Sequence, residues 1–457
     1  MLRFWRNKKF YSFVLFVVGM FSHTQVVVYV GCIAISELPM LILGPILFLT
    51  DFTTLRRDGF LPMIFLIILS CCGGFVASLA NDIYWIVALK GLAIPYSMFC
   101  VMVVMHRLLR GSFRGLGWFV AGHAVSLIIY IWAFNPVATV TTAMSGSQLV
   151  DELMENGYFW TIRIRALAMI PFVFWYLHIP RLISMLVPLG VAVTNLLVSI
   201  SGRSSALYTI VASAIIFMGG RVRWQMRAIG QHFLLFLIVA GVVLYGIQKG
   251  YKIAASNGTL GEDAVRKYEK HTRAGDSALK ILMSGRQEFF SAVRAALDKP
   301  FLGHGPHAID KKGYYERFLQ DYASEDEYQQ YLIGRSRHNS AFSIIPTHSH
   351  LMAFWVWYGI FGLWLWLYVL YLMCKYFRCY AASVPQWFAY FAYCIPGLAW
   401  DIFFSPFGWR VYSTTIIVGL LYVKAVYERR IMLPIDMQTE IEEVEQKSLK
   451  GKAGIKI

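Results

Sequence analysis

Charged side chains are scarce in this sequence. They make up 15% of the 457 residues, whereas hydrophobic residues make up 58% and the mean hydropathy is +0.55. A soluble globular protein carries about 25% charged residues, so the composition excludes an ordinary soluble domain. Apolar runs of roughly twenty residues recur along most of the chain, and each is long enough to cross a bilayer core as a helix.

Cysteine is absent from the long hydrophilic segment between residues 249 and 347. All seven cysteines lie in or beside apolar runs, which excludes a disulfide-stapled ectodomain and a cysteine metal site. H-E-x-x-H and D-x-D patterns are also missing, so no metal and no other cofactor is predicted. The apolar stretch after the basic start lacks a small-residue cleavage pattern, and no cleavable signal peptide is predicted.

Basic residues are concentrated in alternate loops. The formal net charge is +16, but Lys and Arg collect in the cytoplasmic loops of membrane proteins. The charge therefore indicates orientation in a membrane and not binding to nucleic acid. Because the short loops at 80–82 and 135–159 contain no Lys or Arg, they are predicted to lie outside, and both termini are predicted to be cytoplasmic.

The pattern predicts an all-α polytopic membrane protein with about twelve transmembrane helices. Two spans are predicted within 10–50, with a break at 36–39, and others near 60–79, 84–105, 116–134, 160–180, 182–200, 204–220, 231–248, 359–375, 384–404 and 411–427. The predicted organisation is spans one to nine in 1–248, a large periplasmic loop with amphipathic helices in 249–347, spans ten to twelve in 348–428 and a cytoplasmic tail in 429–457.

One amphipathic helix is predicted in the large loop, from Ser284 to Asp298. Ser284 and Gln287 fit a capping box, and Pro300 is expected to end the helix. Arg286 falls in the first turn, where free backbone N–H groups and the helix dipole already favour anions. A guanidinium there can bind phosphate through two hydrogen bonds. The alternative is an ordinary solvated arginine.

Three histidines are candidates for chemistry or binding. His304 lies in a turn rich in glycine, and His348 and His350 lie directly before a short apolar helix, Leu351–Tyr358. Histidines at the mouth of a span can transfer protons at neutral pH, but a spacing of two residues is poor for zinc. Each of them could equally be a turn or interfacial histidine without a role.

Arginines at the predicted outer ends of spans are the remaining candidates. Arg203 lies in such a position, and Arg163 and Arg165 lie near the start of span six. Placing arginine near lipid is unfavourable, so such residues usually face a cavity and a partner. The alternative for all three is a side chain that snorkels to water. Arg410 and Asp401, near the last hairpin, could pair with each other.

Three segments occur together in a recognisable order: SGRSSA at 201–206, SGRQEFFSAVRAALDKPFLGHG at 284–305 and THSHLMAFWVWYGIFG at 347–362. In this combination the chain resembles the O-antigen ligase and polymerase family of bacterial envelope glycan assembly. His348, followed by Gly359 and Gly362, matches the spacing of that family's third motif. The chain departs from the family in having Ser349 where Asn is common and in adding His350.

The resemblance implies a metal-independent glycosyltransferase with a C-type-like helical fold, located in the inner membrane and active on the periplasmic side. Its donor would be a glycan on undecaprenyl pyrophosphate. Its acceptor would be lipid A-core or a second lipid-linked glycan. Arg203 and Arg286 correspond to arginines that hold the donor's pyrophosphate, and His348 corresponds to the histidine that activates the acceptor hydroxyl.

Several alternatives stay open at the level of the sequence. Arg163, Arg165, His304 and His350 are candidates for substrate binding, and His350 competes with His348 as the base. A ligase and a polymerase of this family look alike. From another class, a transporter or flippase for a lipid-linked sugar would need polar residues facing one another in mid-membrane. The absence of an internal repeat weakens that possibility.

Overall fold

The computed structural model describes ten stretches of the chain and a few isolated residues between them. The stretches are 8–22, 25–28, 31–111, 115–133, 181–198, 203–218, 287–322, 344–376, 388–405 and 410–428. They contain thirteen helices and one two-stranded sheet. In chain order these are α1 (Lys8–Met20), β1 (Gln25–Val28), β2 (Gly31–Ala34), α2 (Glu37–Thr50), α3 (Phe52–Arg57), α4 (Leu61–Ala80), α5 (Trp85–Gly111), α6 (Gly115–Ala133), α7 (Arg181–Val198), α8 (Arg203–Met218), α9 (Gln287–Asp298), α10 (Tyr314–Tyr322), α11 (His350–Tyr376), α12 (Phe388–Phe404) and α13 (Arg410–Tyr427).

Three helices in the described part of the chain are long and apolar enough to cross a membrane. They are α4, most of α5 and α11, and five shorter apolar helices accompany them. This agrees with the prediction of an all-α membrane protein. The number of twelve spans, the domain boundaries and the side of the membrane on which each loop lies stay predictions.

Most of the predicted spans that fall within the described ranges coincide with helices. The spans predicted near 60–79, 84–105, 116–134, 182–200, 204–220, 384–404 and 411–427 correspond to α4, α5, α6, α7, α8, α12 and α13. Those near 160–180 and 231–248 lie outside the described residues, as do most of 249–286 and nearly all of the tail.

The region 10–50 differs from the prediction of two full spans. It forms the short helices α1 and α2, separated by an antiparallel hairpin in which Gln25 pairs with Ala34 and Val28 with Gly31. Consecutive valines favour an extended backbone, because branching at Cβ restricts the side chain in a helix. A short apolar run does not by itself distinguish a strand from a buried helix, which is why the hairpin was not expected.

A buried charged cluster around Asp58 joins α3, α5 and α13. Asp58 is 1% exposed, and its carboxylate lies 3.0 Å from Nε2 of His106 and 3.1 Å from Nε of Arg110. The hydroxyl of Tyr422 in α13 donates to the backbone oxygen of His106 at 3.0 Å. A buried carboxylate needs such partners, because desolvation of a lone charge is very unfavourable.

A second ion pair joins the starts of α2 and α13. Arg410 binds Glu37 through two bonds, with Nε 3.0 Å from Oε1 and a terminal nitrogen 2.9 Å from Oε2. Glu37 is 1% exposed and also accepts a hydrogen bond from the backbone N–H of Ala34 in the hairpin. Asp401 was the partner suggested by the sequence, and Glu37 is a partner that the sequence did not suggest.

Candidate functional site

The helix α11 is broken at Gly359, which has φ 66° and ψ −147°. The segments on either side fold back on each other, since the ring centroids of His350 and Trp366 lie 4.8 Å apart. In a straight helix these residues would be about 24 Å apart at 1.5 Å per residue. The short apolar helix predicted before span ten is therefore present, and it forms a helical hairpin with the rest of α11.

The loop that follows α9 holds the break in place. Four hydrogen bonds connect the short segment and its break to neighbouring parts of the chain: Ile360 N to Phe301 O at 3.0 Å, His304 N to Val356 O at 2.6 Å, Trp355 Nε1 to Pro300 O at 3.0 Å and Tyr358 OH to Gly91 O at 2.7 Å. Two of these bonds satisfy backbone groups that the broken helix would otherwise leave without partners.

Gly359 and Gly362, the two glycines of the motif, both lie at close backbone contacts. A Cβ atom on Gly359 would lie 2.1 Å from the backbone oxygen of Phe301, and one on Gly362 would lie 2.1 Å from that of Phe354. Gly359 also needs a backbone conformation that other residues rarely adopt. Both glycines therefore serve the fold of the hairpin. His348 is the remaining motif residue, and its side chain can transfer a proton.

His348 forms an ion-pair contact with Glu288 in the first turn of α9. Nδ1 of His348 lies 3.0 Å from Oε2 of Glu288, and the two side chains are 51% and 43% exposed. A carboxylate oxygen can only accept a hydrogen bond, so a hydrogen bond across this contact requires the ring proton on Nδ1. In the neutral ring the free lone pair is then on Nε2, which is the atom able to accept a proton from a substrate. Exposed pairs of this kind contribute little to stability.

Ser349 fixes the position of His348. Its hydroxyl accepts a hydrogen bond from Met352 N at 3.1 Å and donates one to Ile402 O at 2.8 Å. The first bond is a helix N-cap, and the second ties the start of α11 to α12. Phe289 contacts Phe404 at the end of α12, with ring centroids 6.1 Å apart. The starts of α9 and α11 thus meet at the end of α12.

His350 lies within aromatic packing and is 3% exposed. Its ring centroid is 4.8 Å from that of Trp366 and 4.9 Å from that of Phe407. The sequence left His348 and His350 as competing bases, and the two differ sharply in accessibility. The geometry favours His348 for contact with a substrate and assigns His350 a packing position.

His304 also occupies an enclosed position and is 8% exposed. Its Nε2 atom donates to the backbone oxygen of Ala295 at 2.8 Å. Burial lowers the pKa of His304 despite that hydrogen bond, so the ring is neutral near pH 7. This side chain fastens the loop to the last turns of α9.

The arginine candidates lie at or beyond the edges of the described ranges. Arg203 is the first residue of α8, which packs against α7 and α12. Arg286 directly precedes α9 and lies outside the described residues, as do Arg163 and Arg165. The capping box predicted at Ser284 lies outside them too, whereas the helix end before Pro300 is as predicted.

Glu288 is the site residue that sequence reasoning missed. An acidic residue in the first turn of a helix is common, because it interacts favourably with the helix dipole. That ordinary explanation concealed its contact with His348.

Comparison of the chain with protein-family models, curated proteins and solved structures found no match. Among the described residues, no group of three or more His, Cys, Asp or Glu could hold a metal ion, and metal independence stays a prediction.

Proposed function

We propose that this protein is a membrane glycan transferase that moves a polysaccharide from undecaprenyl pyrophosphate to an acceptor hydroxyl. The reaction takes place on the periplasmic face of the bacterial inner membrane. The protein acts as an O-antigen ligase, with lipid A-core as acceptor. The observation that carries the proposal is the solvent-accessible pair of His348 and Glu288, placed where three helix ends meet.

The pair is suited to general-base catalysis. Glu288 accepts a hydrogen bond from Nδ1–H of His348, which keeps its proton, and Nε2 takes the proton of the acceptor hydroxyl as its oxygen attacks the anomeric carbon. The bond from that carbon to the pyrophosphate oxygen breaks, and its electron pair leaves with undecaprenyl pyrophosphate. The carboxylate of Glu288 stabilises the imidazolium that results, as an adjacent negative charge does.

The leaving group calls for fixed positive charge near the base. Arg286 precedes Glu288 by two positions in the chain, and Arg203 begins α8. In the proposal their guanidinium groups bind the pyrophosphate through paired hydrogen bonds. They stabilise the charge that develops on the bridging oxygen without reorganisation of solvent.

A transfer assay with purified protein and lipid-linked donor tests the base. His348→Ala should slow transfer by about 10²–10⁴-fold, the usual effect of losing a general base. Glu288→Gln should give a smaller loss, because the amide oxygen can still accept a hydrogen bond from Nδ1–H but no longer balances the imidazolium charge. Asp321→Asn is the matched control, since it removes a carboxylate from an exposed pair with Arg294 on neighbouring helices. Transfer at the parental rate by His348→Ala is incompatible with this mechanism.

The acceptor is tested by gel analysis of surface glycan from a deletion strain. Loss of all long chains on lipid A-core, with lipid-linked polymer retained, identifies a ligase. Caps of a single repeat identify a polymerase that uses a second lipid-linked glycan as acceptor. An unchanged glycan profile contradicts both.

A further inference from the structure

A basic cavity of about 640 Å³ lies at the turn between α4 and α5. One wall is the turn itself, with Asn81 and Tyr84, and the other is the loop after α9, with Lys299, His307 and Lys311. The side chains of Lys299 and Asn81 are hydrogen bonded across it. The cavity is therefore formed by two parts of the chain that are remote in sequence and locked together.

The cavity lies at helix ends that a membrane-spanning position of α4 and α5 would place among lipid headgroups. It adjoins the ends of α4 and α5, two of the helices able to span a membrane, with mean hydropathies of 2.4 and 1.9. Tyr84 and Trp85 beside it are each 62% exposed, and Phe301 is 76% exposed. Aromatic residues collect at this level of membrane proteins, where their rings reach the interface. The ends of two adjoining spans fix that depth whichever side of the membrane they face.

Positive charge exceeds negative charge around the cavity. Lys299, Lys311 and Lys312 line it together with one carboxylate, that of Asp82. Lys312 is neutralised by Asp298, whose two oxygens lie 2.7 and 2.8 Å from its ammonium nitrogen. Among the described residues Lys311 makes no ion pair. An anionic group in the cavity would therefore meet at least two ammonium groups that Asp298 does not neutralise.

His307 adds a neutral hydrogen-bonding ring to this surface. Burial, and after it the charge of nearby Lys90, lower the pKa of His307. Its ring is held 4.7 Å from that of Trp357 in the short segment of α11. His307 and Asp82 have φ of 53° and 52°, and in the described part of the chain they are the two non-glycine residues with positive φ. Such backbone strain concentrates at binding sites, and here both strained residues line one cavity.

We propose that this cavity binds the headgroup phosphate of an anionic bilayer lipid. Ammonium groups at the interface attract such headgroups, and the exposed aromatic residues contact the upper part of the acyl chains. The pyrophosphate of a lipid-linked donor has the same chemistry, but the proposed base lies elsewhere. α9 begins beside His348 and ends beside the cavity, and ten residues at 1.5 Å each place these points about 15 Å apart.

Native mass spectrometry of the purified full-length protein tests the assignment. The probes are phosphatidylglycerol and phosphatidylcholine with identical acyl chains, so that only the headgroup differs. Phosphatidylglycerol should bind more tightly, and Lys299→Gln and Lys311→Gln should each weaken its binding about fivefold. Lys375→Gln is the matched control, because Lys375 is an exposed lysine at the far end of α11.

Three outcomes decide the question. Selective binding of phosphatidylglycerol that both cavity variants weaken supports the proposal. Equal binding of phosphatidylglycerol by the parent and by a variant that combines Lys299→Gln with Lys311→Gln overturns it. Loss of undecaprenyl pyrophosphate binding with phosphatidylglycerol binding unchanged also overturns it and assigns the cavity to the isoprenoid lipid. Thermal unfolding without lipid checks the fold, and Lys311→Gln should leave it unchanged because Lys311 is exposed and, among the described residues, unpaired. The result does not depend on transferase activity.

Discussion

At the residue level, the geometry around His348 depends on a glycine that never touches a substrate in the proposed mechanism. Gly359 has a positive φ, and its Cα faces the backbone oxygen of Phe301 at a distance that leaves no room for a side chain. The hydrogen bond from Ile360 N to Phe301 O crosses the same contact. A change at Gly359 therefore acts on the loop and the hairpin together.

Gly359→Ala should destabilise the protein by about 3 kcal/mol or more, because strain in the backbone adds to the clash with Phe301. Thermal unfolding in detergent measures the effect. Gly190→Ala is the control: Gly190 lies inside α7, and apart from the neighbouring helix backbone no atom of the described residues lies within 4 Å of the position that a Cβ atom would take there. Alanine at this position should be neutral or stabilise by about 0.5–1 kcal/mol. Equal unfolding temperatures for the two variants would show that the break in α11 accepts a side chain at position 359 without strain.

Sequence patterns identified His348, Gly359 and Gly362 by their spacing, but they did not show which of the three has a chemical role and which serve the fold. The structural role of the two glycines follows from the backbone oxygens of Phe301 and Phe354, which lie close to them only in the folded chain. The role of Glu288 was hidden for the same reason. Its spacing within α9 is ordinary, and its distinguishing feature is a contact with a residue sixty positions later in the chain.

At the level of elements, long apolar runs predicted helices well, because a backbone in lipid must satisfy its own hydrogen bonds. α4 and α13 lie within one residue of the predicted bounds, whereas α5 extends six residues beyond the predicted end at 105. The hairpin of β1 and β2 was missed, since four consecutive apolar positions fit either structure. The fold-back of α11 was anticipated only as a short helix before a span, because its direction is set by the loop after α9.

That loop is attached to α11 in part through the indole of Trp355. Trp355→Phe removes its hydrogen bond to Pro300 O and should lower stability by about 1 kcal/mol, because a partly buried oxygen loses that partner. Trp364→Phe is the control, because Trp364 is 56% exposed on the other segment of the same helix. Unfolding curves for the two variants decide the matter, and a larger loss for Trp364→Phe would contradict the assigned role of Trp355.

At the level of the whole molecule, charged residues connect helices that are distant in sequence. The cluster at Asp58 joins α3, α5 and α13, and the pair of Glu37 and Arg410 joins the starts of α2 and α13. α13 therefore has an ionic or hydrogen-bonded attachment towards each of its ends. None of these partners was suggested by the sequence, because no local spacing relates them.

Asp58→Ala should destabilise the protein by about 3–5 kcal/mol, the range for removing one member of a buried charged set. Buried His106 would lose its carboxylate partner, and Arg110 would lose its ion pair. Asp321→Ala is the control, since Asp321 belongs to an exposed pair, and it should change stability by at most about 1 kcal/mol. Equilibrium or thermal unfolding measures both changes, and equal stability of the two variants would mean that the buried charges around Asp58 contribute no more than an exposed pair.

The break in α11 also imposes an order on biosynthesis. The segment His350–Tyr358 leaves the ribosome after the loop residues Phe301 and Pro300, so the groups that complete its hydrogen bonds already exist when it emerges. Those groups must have been delivered to the same side of the membrane before the hairpin can settle. A chain whose loop is held away from α11 would leave the backbone groups at the break without these partners. Completion of the hairpin in α11 thus depends on residues made earlier, and the linear order of the chain makes the two events sequential.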